Sequence, residues 1–107
     1  MIVKFIADKN SMTPGKKYKV IGIEGDDYRI INDNNDPCLY EPKSFEVVDS
    51  NEPKFWISKY GESGERYAYP REWHEIGFFE DYHDGASLIV NQFWYECKKY
   101  YGMNREV

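Results

Sequence analysis

Short apolar runs, broken every few residues by Gly, Pro, Asn or Asp, fill the first half of the chain, and a helical period appears only near its end. Ile2–Ile6 mixes β-branched and aromatic residues around Lys4 and predicts a first strand. Asp8–Gly15 contains Asn10, Ser11, Pro14 and Gly15, residues that end regular pairing, and reads as a loop. Tyr18–Ile23 predicts a second strand, with Gly22 placed for a bulge or a sharp bend. Gly25-Asp26-Asp27 and Asn32–Asp36 are turns that tolerate positive φ, so Tyr28–Ile31 and Pro37–Tyr40 are expected as hairpin partners. A short turn, Glu41–Ser44, leads into a fifth strand, Phe45–Val48.

The second half carries a further hairpin, Lys54–Tyr60 with Arg66–Tyr69, around the Gly61–Glu65 loop. Gly77–Gly85 mixes aromatics and acids between two glycines and is expected as a short edge strand or an ordered loop. In the closing segment Ile89, Phe93, Cys97 and Tyr100 form one helical stripe over Ser87–Tyr101, with Ser87 as the N-cap, Lys98 and Lys99 in the last turn and Gly102 as the stop.

Five short strands joined by tight turns must curl if one face is to be buried without long bare edges. The runs Gly15–Val20, Tyr28–Asp33 and Leu39–Val47 resemble the small SH3-like barrels of bacterial and phage proteins, in which an aromatic and a Pro precede a one-turn helix and an aromatic opens the last strand. The resemblance covers residues 1–48 and implies such a barrel there. Eukaryotic relatives bind Pro-rich peptides in an aromatic groove. Tyr40 and Pro42 occupy matching positions, but no Trp stands near the third strand, and groove binding of that kind is not expected. The expected fold is α+β, mainly β: a single domain over 1–107, with an SH3-like core at 1–48 and, at 49–107, a hairpin, an acidic aromatic segment and one terminal helix packed on the sheet.

Composition narrows the function classes. Aromatics make up 18% of the 107 residues, too many large rings for a disordered chain. No apolar stretch is long enough to cross a bilayer, and the first residues lack the apolar core of a secretory leader, so a cytoplasmic location is expected. Cys38 and Cys97, far apart in sequence, read as two thiols. Residues 1–23 carry five Lys against one Asp, residues 24–84 carry a net charge of −10, and the remainder carries +1. A segment that acidic repels a polyanion, so direct nucleic-acid binding is not expected; it would steer a basic partner instead.

Both histidines, His74 and His83, lie among Glu72, Glu75, Glu80, Asp81 and Asp84. Imidazoles beside carboxylates are the material of metal and acid–base sites. Their nine-residue spacing, however, matches no common ligand pattern, and the better reading is solvated histidines beside acids. No nucleophile elbow, phosphate loop or dinucleotide turn is present, and Asp33–Asp36 lacks the Gly and distant Glu of a calcium loop. Neither an enzyme nor a cofactor is expected. Nineteen rings exceed the needs of one small core. Phe78 and Phe79 are expected to fill the interior, whereas Trp73 and Tyr82 are expected to stand exposed among the acids, as interface anchors do. The leading expectation is therefore a small inhibitor of immunity type that masks a basic toxin or nuclease through Glu72, Trp73, Glu75, Glu80, Asp81, Tyr82 and Asp84. The alternative is an SH3-like accessory or structural module of a phage or prophage. The sequence leaves the oligomeric state open.

Overall fold

A computed structural model describes residues 1–106. The strands are β1 (Ile2–Phe5), β2 (Lys17–Glu24), β3 (Asp27–Ile31), β4 (Pro37–Tyr40), β5 (Phe45–Asp49), β6 (Ile57–Tyr60) and β7 (Arg66–Tyr69). All pair antiparallel, in the order β4-β3-β2-β1-β5, and β7 joins β2 to β6. A one-turn 3-10 helix, Pro42–Ser44, precedes β5, its Pro supplying the fixed φ that starts a helical turn. β4 and β5 do not pair with each other, so the sheet is open and the expected closed barrel is not completed by strand hydrogen bonds.

The long strand β2 organises this sheet. Its first residues, Lys17–Lys19, pair with β1. A register shift between Val20 and Gly22 follows, and Ile23 and Glu24 pair with β7. The bend therefore opens a place for the second hairpin beside β2. Gly22 permits it sterically: a Cβ there would lie only 2.1 Å from the Tyr69 ring, so the ring needs the bare backbone beneath it. The chain accordingly divides into two compact units, Met1–Tyr69 and Pro70–Val107. The β6–β7 hairpin, which the sequence places in the 49–107 segment, pairs through β7 with β2 in the first unit's sheet.

Val3, Phe5, Tyr18, Val20, Ile23, Ile30, Phe45, Trp56 and Ala68 form the first unit's core. Its buried charge is fully partnered. Arg29 donates from Nε to the Tyr69 hydroxyl at 3.0 Å, from one terminal nitrogen to the Pro37 carbonyl at 2.9 Å and from the other to Glu24 at 2.9 Å. Tyr69 in turn donates to the same Glu24 oxygen at 2.9 Å, which ties β2, β3, β4 and β7 together. At the surface, Arg66 holds Glu52 with two bonds of 2.7 and 2.6 Å, anchoring the segment before β6 to the hairpin.

The second unit contains a 3-10 turn, Arg71–His74, and the helices α1 (Phe78–His83) and α2 (Ser87–Tyr101). α1 replaces the edge strand or loop expected over Gly77–Gly85. Gly77 turns into it at a φ of 78°, and Phe78, Phe79 and Tyr82 face inward from its single long turn and a half. The stripe expected on α2 is present, with Phe93 and Cys97 fully buried. Its N-cap is Ala86 and not Ser87: the Ile89 and Val90 amides bond to the Ala86 carbonyl, and no side chain caps the end. Gly102 closes the helix in the left-handed conformation, as expected. Cys38 is half-buried and Cys97 buried, and neither forms a disulfide. No helix among the described residues is long and apolar enough to cross a membrane.

Candidate functional site

Trp73 is the centre of the second unit. Its indole stacks on Phe93 at 4.8 Å and on Tyr101 at 5.8 Å, and meets Phe79 edge-on at 5.9 Å. Tyr82 contacts Phe93 edge-on at 5.1 Å, and its hydroxyl accepts the Trp94 indole hydrogen at 2.9 Å. Trp73 and Tyr82 are only 2% and 6% exposed, so the expectation that they stand out as anchors is corrected. The physical reason is local: with 38 residues, this unit has few aliphatic side chains, and stacked rings are what it has to exclude water.

The acids divide. Glu72, Glu75 and Asp81 line one open cleft of about 610 Å³, together with Arg71, Ile76, Phe78, Ile89 and Gln92. Glu80 and Asp84 are exposed and lie outside it. The 3-10 turn supplies Arg71 and Glu72, the link to α1 supplies Glu75 and Ile76, α1 supplies Phe78 and Asp81, and α2 supplies Ile89 and Gln92. Ile76 is 98% exposed, a bare aliphatic side chain at the edge of a charged depression. Sequence reading missed Ile76, Ile89 and Gln92; a lone Ile between Glu75 and Gly77 carries no signal until its exposure is known.

Behind the cleft wall two carboxyls meet. Glu96, buried on α2, accepts the Trp73 indole hydrogen at 3.1 Å and the Gln92 amide at 3.2 Å on one oxygen. Glu72 accepts the Tyr100 hydroxyl, 2.7 and 2.8 Å from its two oxygens. The two carboxyls interact electrostatically. Burial, reinforced by the Glu72 charge, pushes the Glu96 carboxyl above its ordinary range despite the bonds from Trp73 and Gln92. Burial acts upward on Glu72 as well, but the bonds from Tyr100 and from its own backbone, with the Lys99 charge, outweigh it and hold Glu72 below the ordinary range. Glu96 is therefore the member that binds a proton more readily. Glu72 presents its negative charge to the cleft.

His74 is half-buried and His83 exposed, the latter with its ring edge against Tyr82 at 5.4 Å. Among the described residues no three His, Cys, Asp or Glu side chains are grouped to hold a metal ion. The cleft offers carboxylates and aliphatic surface but no nucleophile beside a base. Such a lining attracts a cation with an apolar stem, the chemistry of an arginine or lysine side chain. No protein-family model, no curated protein and no solved structure matches this chain.

Proposed function

We propose that this protein acts by binding a basic protein partner at the acid-lined cleft of its second unit, as a cytoplasmic inhibitor of immunity type that masks a basic toxin or nuclease. The observation that carries the reading is the meeting of Glu72, Glu75 and Asp81 around one cleft with Ile76 bare at its edge. An enzyme that grips phosphates does so with Arg and Lys. Carboxylates gathered at one cleft can pair with those groups, and the aliphatic edge adds contact area that water would otherwise cover. Arg71, in the same cleft, offsets part of the charge and gives a partner's own carboxylate a place to pair. The docking surface is smaller than the sequence alone implied: Glu80 and Asp84 add long-range attraction, and Trp73 and Tyr82 act only by holding the cleft's walls.

The test begins with the tagged protein recovered from its host together with whatever remains bound, followed by titration of the identified partner. A basic protein that binds the wild type and loses a hundredfold or more in affinity to the double variant Glu75→Lys/Asp81→Lys supports the reading. Recovery of no basic partner, or equal binding by the variant, overturns it.

A second reading is favoured by the strand order β4-β3-β2-β1-β5 and the one-turn helix before the last strand. On it, the first unit is an SH3-like barrel and the chain an accessory or structural module of phage or prophage type. Charge reversal in the cleft then leaves partner binding unchanged, whereas substitutions on the first unit's surface reduce it.

A further inference from the structure

Two of the acceptors that line the cleft of the second unit are held in place by side chains outside it. Tyr100 gives its hydroxyl hydrogen to Glu72, with the hydroxyl 2.7 and 2.8 Å from the two carboxylate oxygens. One hydrogen leaves most of that carboxylate's lone pairs free for a ligand. Gln92, half-buried on α2, gives an amide hydrogen to the buried Glu96 at 3.2 Å, a bond between residues four apart on one helix face. With its nitrogen turned to Glu96, the Gln92 amide turns its carbonyl oxygen the other way. Gln92 lines the cleft and Glu96 does not, so Gln92 brings an uncharged acceptor to the carboxylates of Glu72, Glu75 and Asp81.

A lone positive charge does not need this arrangement. The ammonium of a lysine is a compact, strongly hydrated point charge, which carboxylates attract whatever their orientation. A guanidinium is planar, carries five N–H donors in a fixed fork and accepts nothing. It therefore gains from acceptors whose positions are set before it arrives, a neutral one included. Phe78 adds an aromatic ring to the lining, on which a guanidinium plane stacks, and Ile76 and Ile89 add aliphatic surface for the methylene stem. Arg71, in the same lining, repels either cation and favours neither. We propose that the cleft binds an arginine side chain in preference to a lysine side chain, and that Gln92, oriented by Glu96, sets the preference. This rests on the reading of the cleft as the docking site of a basic partner, and names which basic side chain enters it.

The probes are two blocked pentapeptides of equal charge, acetyl-Gly-Gly-Arg-Gly-Gly-amide and its Lys counterpart, titrated into the full chain and followed by heteronuclear NMR. The Arg peptide is expected to shift the resonances of Ile76, Ile89 and Gln92 and to bind about fivefold or more tighter than the Lys peptide. Gln92→Met keeps the side chain's length without the acceptor and, with α2 intact by circular dichroism, is expected to bring that ratio to about twofold or less, through weaker binding of the Arg peptide. Glu75→Lys/Asp81→Lys is expected to abolish binding of both. Equal binding of the two peptides in the cleft overturns the preference and leaves the docking reading standing. An Arg preference unchanged in Gln92→Met overturns the role of Gln92. An Arg peptide that shifts no cleft resonance, or that binds the double variant as it binds the wild type, overturns the proposal outright; docking of a protein partner is then judged separately, by titration of the recovered partner.

Discussion

The first unit buries a guanidinium and the second buries a carboxyl, and the two units satisfy them in opposite ways. Arg29 has a phenol, a carbonyl and a carboxylate around it, so charge and hydrogen-bond demands are met within the sheet. Glu96 has an indole and an amide as donors, and the Glu72 charge nearby works against its ionisation. Removing an ion from water costs several kcal/mol unless it is compensated, and for Glu96 that cost raises the carboxyl above its ordinary range. The first arrangement fixes four strands and has no further consequence. The second places acid at a surface: Glu72, whose carboxyl is held below the ordinary range, lines the cleft. A fold that merely needed stability would resemble the first unit; the second leaves charge facing outward.

Four substitutions break or sharpen this contrast. The largest effect is expected from Trp73→Ala, which removes the ring that Phe79, Phe93 and Tyr101 surround and leaves Glu96 without its indole donor. A loss of about 3–5 kcal/mol, read by denaturant unfolding, would be ordinary for such a cavity, and amide exchange along α2 should rise with it. An unchanged exchange rate there would show that the rings do not hold the second unit together. Next, Arg29→Met should cost about 2–3 kcal/mol, because it takes away the donors to the Pro37 carbonyl and to the Tyr69 hydroxyl. The cost stays below that of a fully buried pair because Glu24 keeps partial access to water.

The third variant, Glu96→Gln, probes the proton directly. An amide can still accept from Trp73 and Gln92, so at low pH the change should stay within about 1 kcal/mol. A carboxyl with a raised folded-state pKa contributes stability in full below its ordinary value of 4.5, and loses it as pH climbs through the raised value. Wild type should therefore fall behind Glu96→Gln as pH rises above about 4.5, in thermal melts taken across the acidic to neutral range. Glu72, whose pKa is lowered, works in the opposite window: its contribution is present above the ordinary value and is lost only as the solution becomes more acidic. Parallel curves for wild type and variant would mean that burial does not push the Glu96 carboxyl up. The smallest effect belongs to Glu52→Gln. Its pairing with Arg66 is bidentate but near the surface, so about 0.5–1 kcal/mol is expected, shrinking with added salt.

Local rules decided much of this molecule. The strands up to Val48 and the hairpin around Gly61–Glu65 were legible because turn residues and apolar runs act within a few positions, and the terminal helix because four residues on one stripe span three turns. α1 was not legible. Six residues hold under two turns, too few to display a period and too few to form a helix without packing partners, so its existence depends on Phe93 and Trp73 from elsewhere in the chain. The same cause misplaced Trp73 and Tyr82: an aromatic beside an acid reads alike whether the ring points inward or outward, and only the folded unit chooses.

By itself, the sequence determined the strand and helix periods, the turn positions, and an acidic middle with no motif for catalysis. The tertiary structure decided that the second hairpin joins the sheet at the bend in β2, which three of the seven nearby acids and histidines meet at the cleft, and which carboxyl burial pushes up. Period and turn chemistry are properties of neighbours along the chain; burial, cleft membership and pKa shifts depend on groups brought together from distant positions, and no local pattern encodes them.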